Sequence, residues 1–170
     1  MDIVTVLLRL THIVAGMFWV GGSVMTVGFI QPTVAAIGPE GTKFMQRFTG
    51  PSRFPFFMNL AAPLTTLAGL VLYWMDSGFR VEWIATGPGL GFTIGGVIGI
   101  AALVLGAVVM SPTSAQMAAL GKEMQMAGGP PTPAQASRMR MLQNKFHQGG
   151  QWGATLLVVA LAAMSVARYL

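Results

Sequence analysis

IVTVLLRLTHIVAGMFWVGGSVMTVGFI, residues 3–30, is apolar apart from Arg9, His12 and a few small hydroxyl residues. Wound as a helix at 1.5 Å per residue it is about 40 Å long, more than the ~30 Å hydrocarbon core of a bilayer. An ionisable group inside that core costs about 2.5 kcal/mol or more, so Arg9 and His12 are expected to face protein rather than lipid and to have a role there.

Three further apolar runs follow, near residues 55–75, 89–110 and 152–168, in a chain that is 54% hydrophobic and only 9% charged. Each is long enough to span, and together they use the whole length. The sequence therefore predicts a single all-α domain over residues 1–170, a transmembrane four-helix bundle with a cytoplasmic helical hairpin extension between helices three and four. The first run starts after Asp2 rather than after a basic segment and is too long for a secretory signal, so it reads as a retained helix. Cysteine is absent, which excludes disulfides, thiolate metal clusters and thiol nucleophiles.

Lys43, Arg47 and Arg53 against Glu40 make the first connection basic, and Lys122, Arg138, Arg140 and Lys145 against Glu123 do the same for the third. The second connection holds Asp76 and Glu82 against Arg80. Positive charge is retained on the cytoplasmic side, which predicts both termini outside and the two basic connections in the cytoplasm. Anionic lipid headgroups are the expected partner of these basic connections; no nucleic-acid recognition motif accompanies the pI near 10.5.

Local signals set the expected boundaries. Pro32 and Gly38-Pro39 close the first run, and Gly50-Pro51 with Pro55 lead into the second. Residues 42–49 form a short interfacial helix with Phe44, Met45 and Phe48 towards lipid. Asp76-Ser77-Gly78 ends the second helix, Trp74 and Trp83 sit at headgroup level, and Gly87-Pro88-Gly89 opens the third. Residues 114–127 read as helix, Gly128-Gly129-Pro130-Pro131 as a break, and Thr132-Pro133-x-Gln135 as a capping box for a helix running straight into the fourth span. Gly149-Gly150 marks a kink.

Gly91, Gly95 and Gly99 repeat at four-residue spacing on one face of the third span, which admits either a packed helix or a flat rigid ligand such as a porphyrin. On the first span Arg9, His12, Gly16, Trp19 and Ser23 share one stripe expected to face the bundle interior. The stripe has two readings. His12 either hydrogen-bonds a neighbouring helix while Arg9 reaches outward to Asp76 or Glu82, or it grips a cofactor.

His12-x6-Trp19-Val20-Gly21-Gly22 on the first of four spans resembles the copper resistance D-like (CopD-like) superfamily of bacterial membrane proteins. Similarity extends more loosely to the J-type protoporphyrinogen oxidase and to the membrane portion of a cytochrome-linked urate oxidase. The resemblance covers nearly the whole chain in topology and includes the Gly-Pro-Pro-rich inner hairpin at Gly129-Pro130-Pro131. It implies haem b with the first-helix histidine, here His12, as axial ligand; the copper resistance side of the family implies metal handling at the outer face. The J-type oxidase would bring a lysine in the third span, and residues 89–110 contain none, which argues against porphyrinogen oxidation. The Cys-x-x-Cys-His of appended cytochromes is missing too.

Counted along the helices, His12 and His147 lie about 20 Å apart in depth, too far to share one iron. A methionine is the other available axial ligand, and Met164 on the fourth span is at the right depth, with Met75 nearby on the second. Arg9, one turn outward of His12, suits a haem propionate. The candidate cofactor residues are therefore His12, Arg9, Trp19, Met164, Gly95 and Gly99, and a copper site would use His12, Met75 and Met164. No span holds a carboxylate and no nucleophile–base pair is visible, so independent catalysis is not expected. Three functions stay open: a haem b protein for electron transfer or a subunit of a redox assembly, a copper-handling protein, and a cofactor-free accessory subunit of a larger membrane complex.

Overall fold

The computed structural model describes residues 2–50 and 52–170 as an all-α bundle with no strand among them; Pro51, expected to help open the second helix, lies outside the described residues. Four helical stretches, Ile3–Ile37, Arg53–Ser77, Gly87–Met126 and Pro133–Tyr169, are long and apolar enough to cross a membrane, which makes the chain a multi-pass membrane protein.

The first stretch begins at α1 (Ile3–Met25), whose N-cap Asp2 accepts the Thr5 N–H at 2.7 Å. Pro32 does not close it. Residues Thr26–Ile30 form a π-turn in which the Gln31 N–H reaches back to the Thr26 carbonyl, and α2 (Gln31–Ile37) carries the proline in its first turn. A proline ring collides with the carbonyl four residues back in a regular helix, and the wider turn removes that collision, so the helix passes through. Gly38, at φ 77°, is the actual stop. The third stretch repeats the device eighty residues later: α6 (Gly87–Leu105) passes through a π-turn at Gly106–Met110 into α7 (Ser111–Met126), with Pro112 in its first turn.

Between them lie α3 (Pro39–Thr49), α4 (Arg53–Ser77) and the single turn α5 (Val81–Ile84). The interfacial helix thus starts three residues earlier than the sequence suggested, and α4 starts two residues before Pro55, with Ser52 as its N-cap. Ser77 and Gly78 end α4 as expected, with Gly78 left-handed at φ 54° and the fully buried Ser77 hydroxyl donating to the Tyr73 carbonyl at 2.6 Å. Trp83 packs edge-on against Tyr73, and the Tyr73 hydroxyl pairs with Thr93 at 2.7 Å, tying α4 to α6.

The last helix, α8 (Pro133–Val166), starts in the expected capping box: Thr132 Oγ1 accepts from the Gln135 N–H at 3.2 Å and Gln135 Oε1 accepts from the Thr132 N–H at 3.0 Å. It is continuous through Gly149-Gly150. A Cβ on Gly149 would meet the Met110 thioether and Val109, and one on Gly150 would meet Val27 and Met110. Both π-turns therefore close on this glycine pair, which serves close packing.

Helix α1 lies along α4, α4 against α6, α6 along α8 and α8 against α1, closing a ring; beyond it α7 and α8 continue as the helical hairpin. The interior is built from small residues, among them Ala15, Ala61, Ala68, Ala102, Ala154 and Ala160, while large apolar side chains such as Ile13, Phe29, Leu67 and Val97 point outward. A soluble protein would invert this arrangement. In lipid, burial of apolar surface gives no driving force between helices, so small residues that let backbones approach are favoured inside.

Candidate functional site

His12 stands on α1 opposite Thr65 and Gly69 of α4. Its Nδ1 lies 2.7 Å from the Thr65 carbonyl oxygen. A carbonyl only accepts, so Nδ1 carries a proton, and in the neutral tautomer Nε2 is the nitrogen with the lone pair. In return the Thr65 hydroxyl donates to the His12 carbonyl at 2.8 Å, with Oγ1 3.3 Å from Nδ1. Thr65 is 5% exposed, so this reciprocal clamp sits in the seam between the two helices.

Two glycines allow it. A Cβ on Gly69 would lie 2.7 Å from the imidazole Cε1 and 2.9 Å from Nδ1, and a Cβ on Gly16 would lie 3.1 Å from the Thr65 hydroxyl. The ring of His12 is seated flush against the α4 backbone because residue 69 has no side chain. Among the described residues every hydrogen bond of the His12 ring runs through Nδ1, and no fully buried side-chain nitrogen or oxygen lacks a partner. It follows that Nε2 is neither paired nor sealed in the packed chain.

Arg9, His12, Gly16, Trp19 and Ser23 are all half-buried, whereas Leu10, Ile13 and Met17 on the other side of α1 are exposed. The remaining residues singled out by sequence are distributed differently. A Cβ on Gly95 would meet Met164 Cγ at 2.6 Å and the Ala160 carbonyl at 3.1 Å, and one on Gly91 would meet Ala167, so α8 covers both glycines. Gly99 has no heavy atom within 4 Å of that position. Met164 is thus held over α6, and Met75 is 42% exposed on α4. His147 is exposed and donates Nδ1–H to Gln31 Oε1 at 2.8 Å. Gln31 is about 28 Å along the first helical stretch from His12, so the two imidazoles cannot meet at one metal.

Thr65 and Gly69 are the site residues that sequence reasoning missed. Their signal was present as a hydroxyl and a glycine one turn apart among Ala61, Ala62 and Ala68, a small-residue face on an otherwise bulky helix. On the outer side of the same seam runs an apolar groove of about 260 Å³ lined by Met17, Phe18, Gly22, Phe54 and Phe57, continued by one of about 150 Å³ between Thr11, Val14, Phe18, Leu60 and Leu64. It offers no converging polar groups and no acid or base. Among the described residues no group of three or more histidines or carboxylates is placed to hold a metal. What the arrangement can do chemically is present one oriented imidazole lone pair inside a membrane-spanning bundle. No protein-family model, curated protein or solved structure matches the chain.

Proposed function

We propose that the chain is a bacterial inner-membrane protein that binds haem b through His12, acting in electron transfer or as a subunit of a redox assembly. The observation that supports this reading is the Nδ1–H bond to the Thr65 carbonyl at 2.7 Å together with the unpaired Nε2. A ring nitrogen fixed on a backbone carbonyl sets the tautomer and plane of a metal-ligating imidazole and raises the basicity of the other nitrogen. An imidazole acceptor without a donor is also costly at that depth, and coordination to a metal removes the cost.

Haem b would supply a one-electron iron couple whose potential depends on its axial ligands. His12 would hold the iron, Arg9 one turn away would pair a propionate, and Trp19 on the same stripe of α1 would border the ring. Met164 would have to leave Gly95 to serve as the second ligand. A cuprous site needs several soft donors at one place; Met164 is engaged over Gly95 and Met75 faces outward, so the haem reading is preferred. With the basic connections inside, His12 lies towards the outer leaflet and any redox partner meets the protein there.

The test is the absorption spectrum of the chain purified in mild detergent from haem-replete cells. A Soret band that disappears in His12→Ala supports the proposal. Wild-type protein that shows no such band and takes up no added haem overturns it and leaves a cofactor-free assembly subunit.

A further inference from the structure

Helix α3 has a use that the haem reading does not touch. Gly38 turns the chain back, and Gly41, buried, lets α3 press onto the α2 backbone at Val34, where a Cβ would collide with the carbonyl. At its other end Phe48 stacks on Phe54 of α4 with ring centroids 4.3 Å apart, and Phe44 stacks on Phe48 at 5.8 Å. The short helix is therefore fixed to two spans rather than hanging from them.

Its residues sort into two adjoining sectors. Phe44, Met45 and Phe48 form the apolar one, and Phe44 is 52% exposed although it belongs to this ring ladder. Lys43 and Arg47, four residues apart, form the charged sector beside it with Glu40, which pairs with Lys43 at 2.7 Å, both side chains largely exposed. Arg53 follows at the start of α4. Three cations accompany one carboxylate at the level where the spans leave the apolar layer. An amphipathic helix with a basic sector flanking exposed aromatic residues is the arrangement that lies in the headgroup layer of an anionic membrane.

We infer that α3 is a docking surface for anionic phospholipid headgroups, with Phe44 and Phe48 in the acyl boundary and Lys43, Arg47 and Arg53 on lipid phosphates. The lipid fixes the hairpin end of the bundle in its leaflet. Each cation at such a surface contributes roughly fivefold to partition, so removing three lowers the preference on the order of 100-fold.

The experiment is native mass spectrometry of the full chain in mild detergent, offered equal amounts of phosphatidylglycerol and phosphatidylcholine with the same acyl chains. Wild type is expected to retain phosphatidylglycerol selectively, the combined Lys43→Gln, Arg47→Gln, Arg53→Gln variant to lose that selectivity, and Glu40→Gln to increase it about fivefold. The last change runs against any loss from misfolding. Unchanged selectivity in the triple variant overturns the inference, as does an equal loss in Lys122→Gln, Arg138→Gln, Arg140→Gln, which removes the same charge from the hairpin. Displacement of the lipid by excess inorganic phosphate also overturns it, since that outcome describes a free-anion site rather than a membrane surface.

Discussion

Replacing Gly69 by Ala puts one methyl group into the His12 clamp. The new carbon would stand 2.7 Å from Cε1 and 2.9 Å from Nδ1, against about 3.5 Å for an unstrained carbon contact. The ring must retreat by roughly 0.7 Å, which stretches its 2.7 Å bond to the Thr65 carbonyl beyond useful length. Overpacking costs about 1–3 kcal/mol and the lost hydrogen bond about 0.5–1.5 kcal/mol, while alanine returns about 0.8–1 kcal/mol of helix propensity. The expected net destabilisation is about 1–3 kcal/mol, read by equilibrium unfolding in mixed micelles with far-UV circular dichroism. Gly96→Ala is the matched control, because nothing lies within 4 Å of its Cβ position, and it should be neutral or stabilising. In a His12→Ala background the Gly69→Ala penalty should vanish, since the two residues then no longer collide. If Gly69→Ala behaves like Gly96→Ala, or if its penalty survives without the imidazole, the clamp does not exist as described.

Thr65→Val removes the hydroxyl bond to the His12 carbonyl but leaves the backbone carbonyl that holds Nδ1; it should cost about 1 kcal/mol in the same unfolding assay and, on the haem reading, keep the Soret band that Gly69→Ala loses. Gly91→Ala would drive a methyl to 2.8 Å from the Ala167 Cα, a backbone atom that cannot step aside, so it should destabilise by about 1–3 kcal/mol; Gly149→Ala is crowded by the thioether of Met110, which can rotate away, and touches Val109 at an ordinary 3.7 Å, so it should cost under about 1 kcal/mol. The Thr5 N–H holds the Asp2 carboxyl below its ordinary 3.8, so the cap is fully present above that pH and is lost as pH falls through the lower folded value. Protection of the Thr5 amide, taken relative to the intrinsic exchange rate at each pH, should fall as pH drops below 3.8 in the wild type, and the acid-induced change should be absent in Asp2→Asn.

Much of the architecture was written locally, because membrane helices need length, apolarity and caps that a single stretch can display. Thr132 and Gln135 announced their capping box, Gly78 the end of α4, Gly87-Pro88-Gly89 the start of α6, and the third and fourth spans their extension into a hairpin. What misled was proline. Pro32 reads as a terminator when only its missing N–H and its ring are considered, and the compensating π-turn over Thr26–Ile30 leaves no residue-type signature of its own. Gly149-Gly150 shows a related ambiguity, since a glycine that loosens a helix and a glycine that seats a neighbour look alike until the neighbours, here Met110 and Val27, are known. At the site, His12 was legible because an ionisable group among apolar residues is conspicuous; Thr65 and Gly69 were not, because a hydroxyl and a glycine are ordinary on a membrane helix and their meaning comes from the residue they face across 53 positions of chain.

The two halves of the chain make the same frame and fill it differently. Thr26–Ile30 followed by Gln31-Pro32-Thr33 corresponds to Gly106–Met110 followed by Ser111-Pro112-Thr113, with Gly16 matching Gly96 in the same register. In that register His12 corresponds to Phe92, and no imidazole stands at that level of α6. A feature demanded by helix packing alone would recur in both halves, as the π-turns do. In the same register Gly69 corresponds to Gly149 but Thr65 to Lys145, so the glycine recurs while the imidazole and its threonine partner occur in one half, at a cost in the apolar layer that phenylalanine avoids. That asymmetry separates His12 from the scaffold and makes the α1–α4 seam, rather than the bundle as a whole, the place where a ligand should be sought.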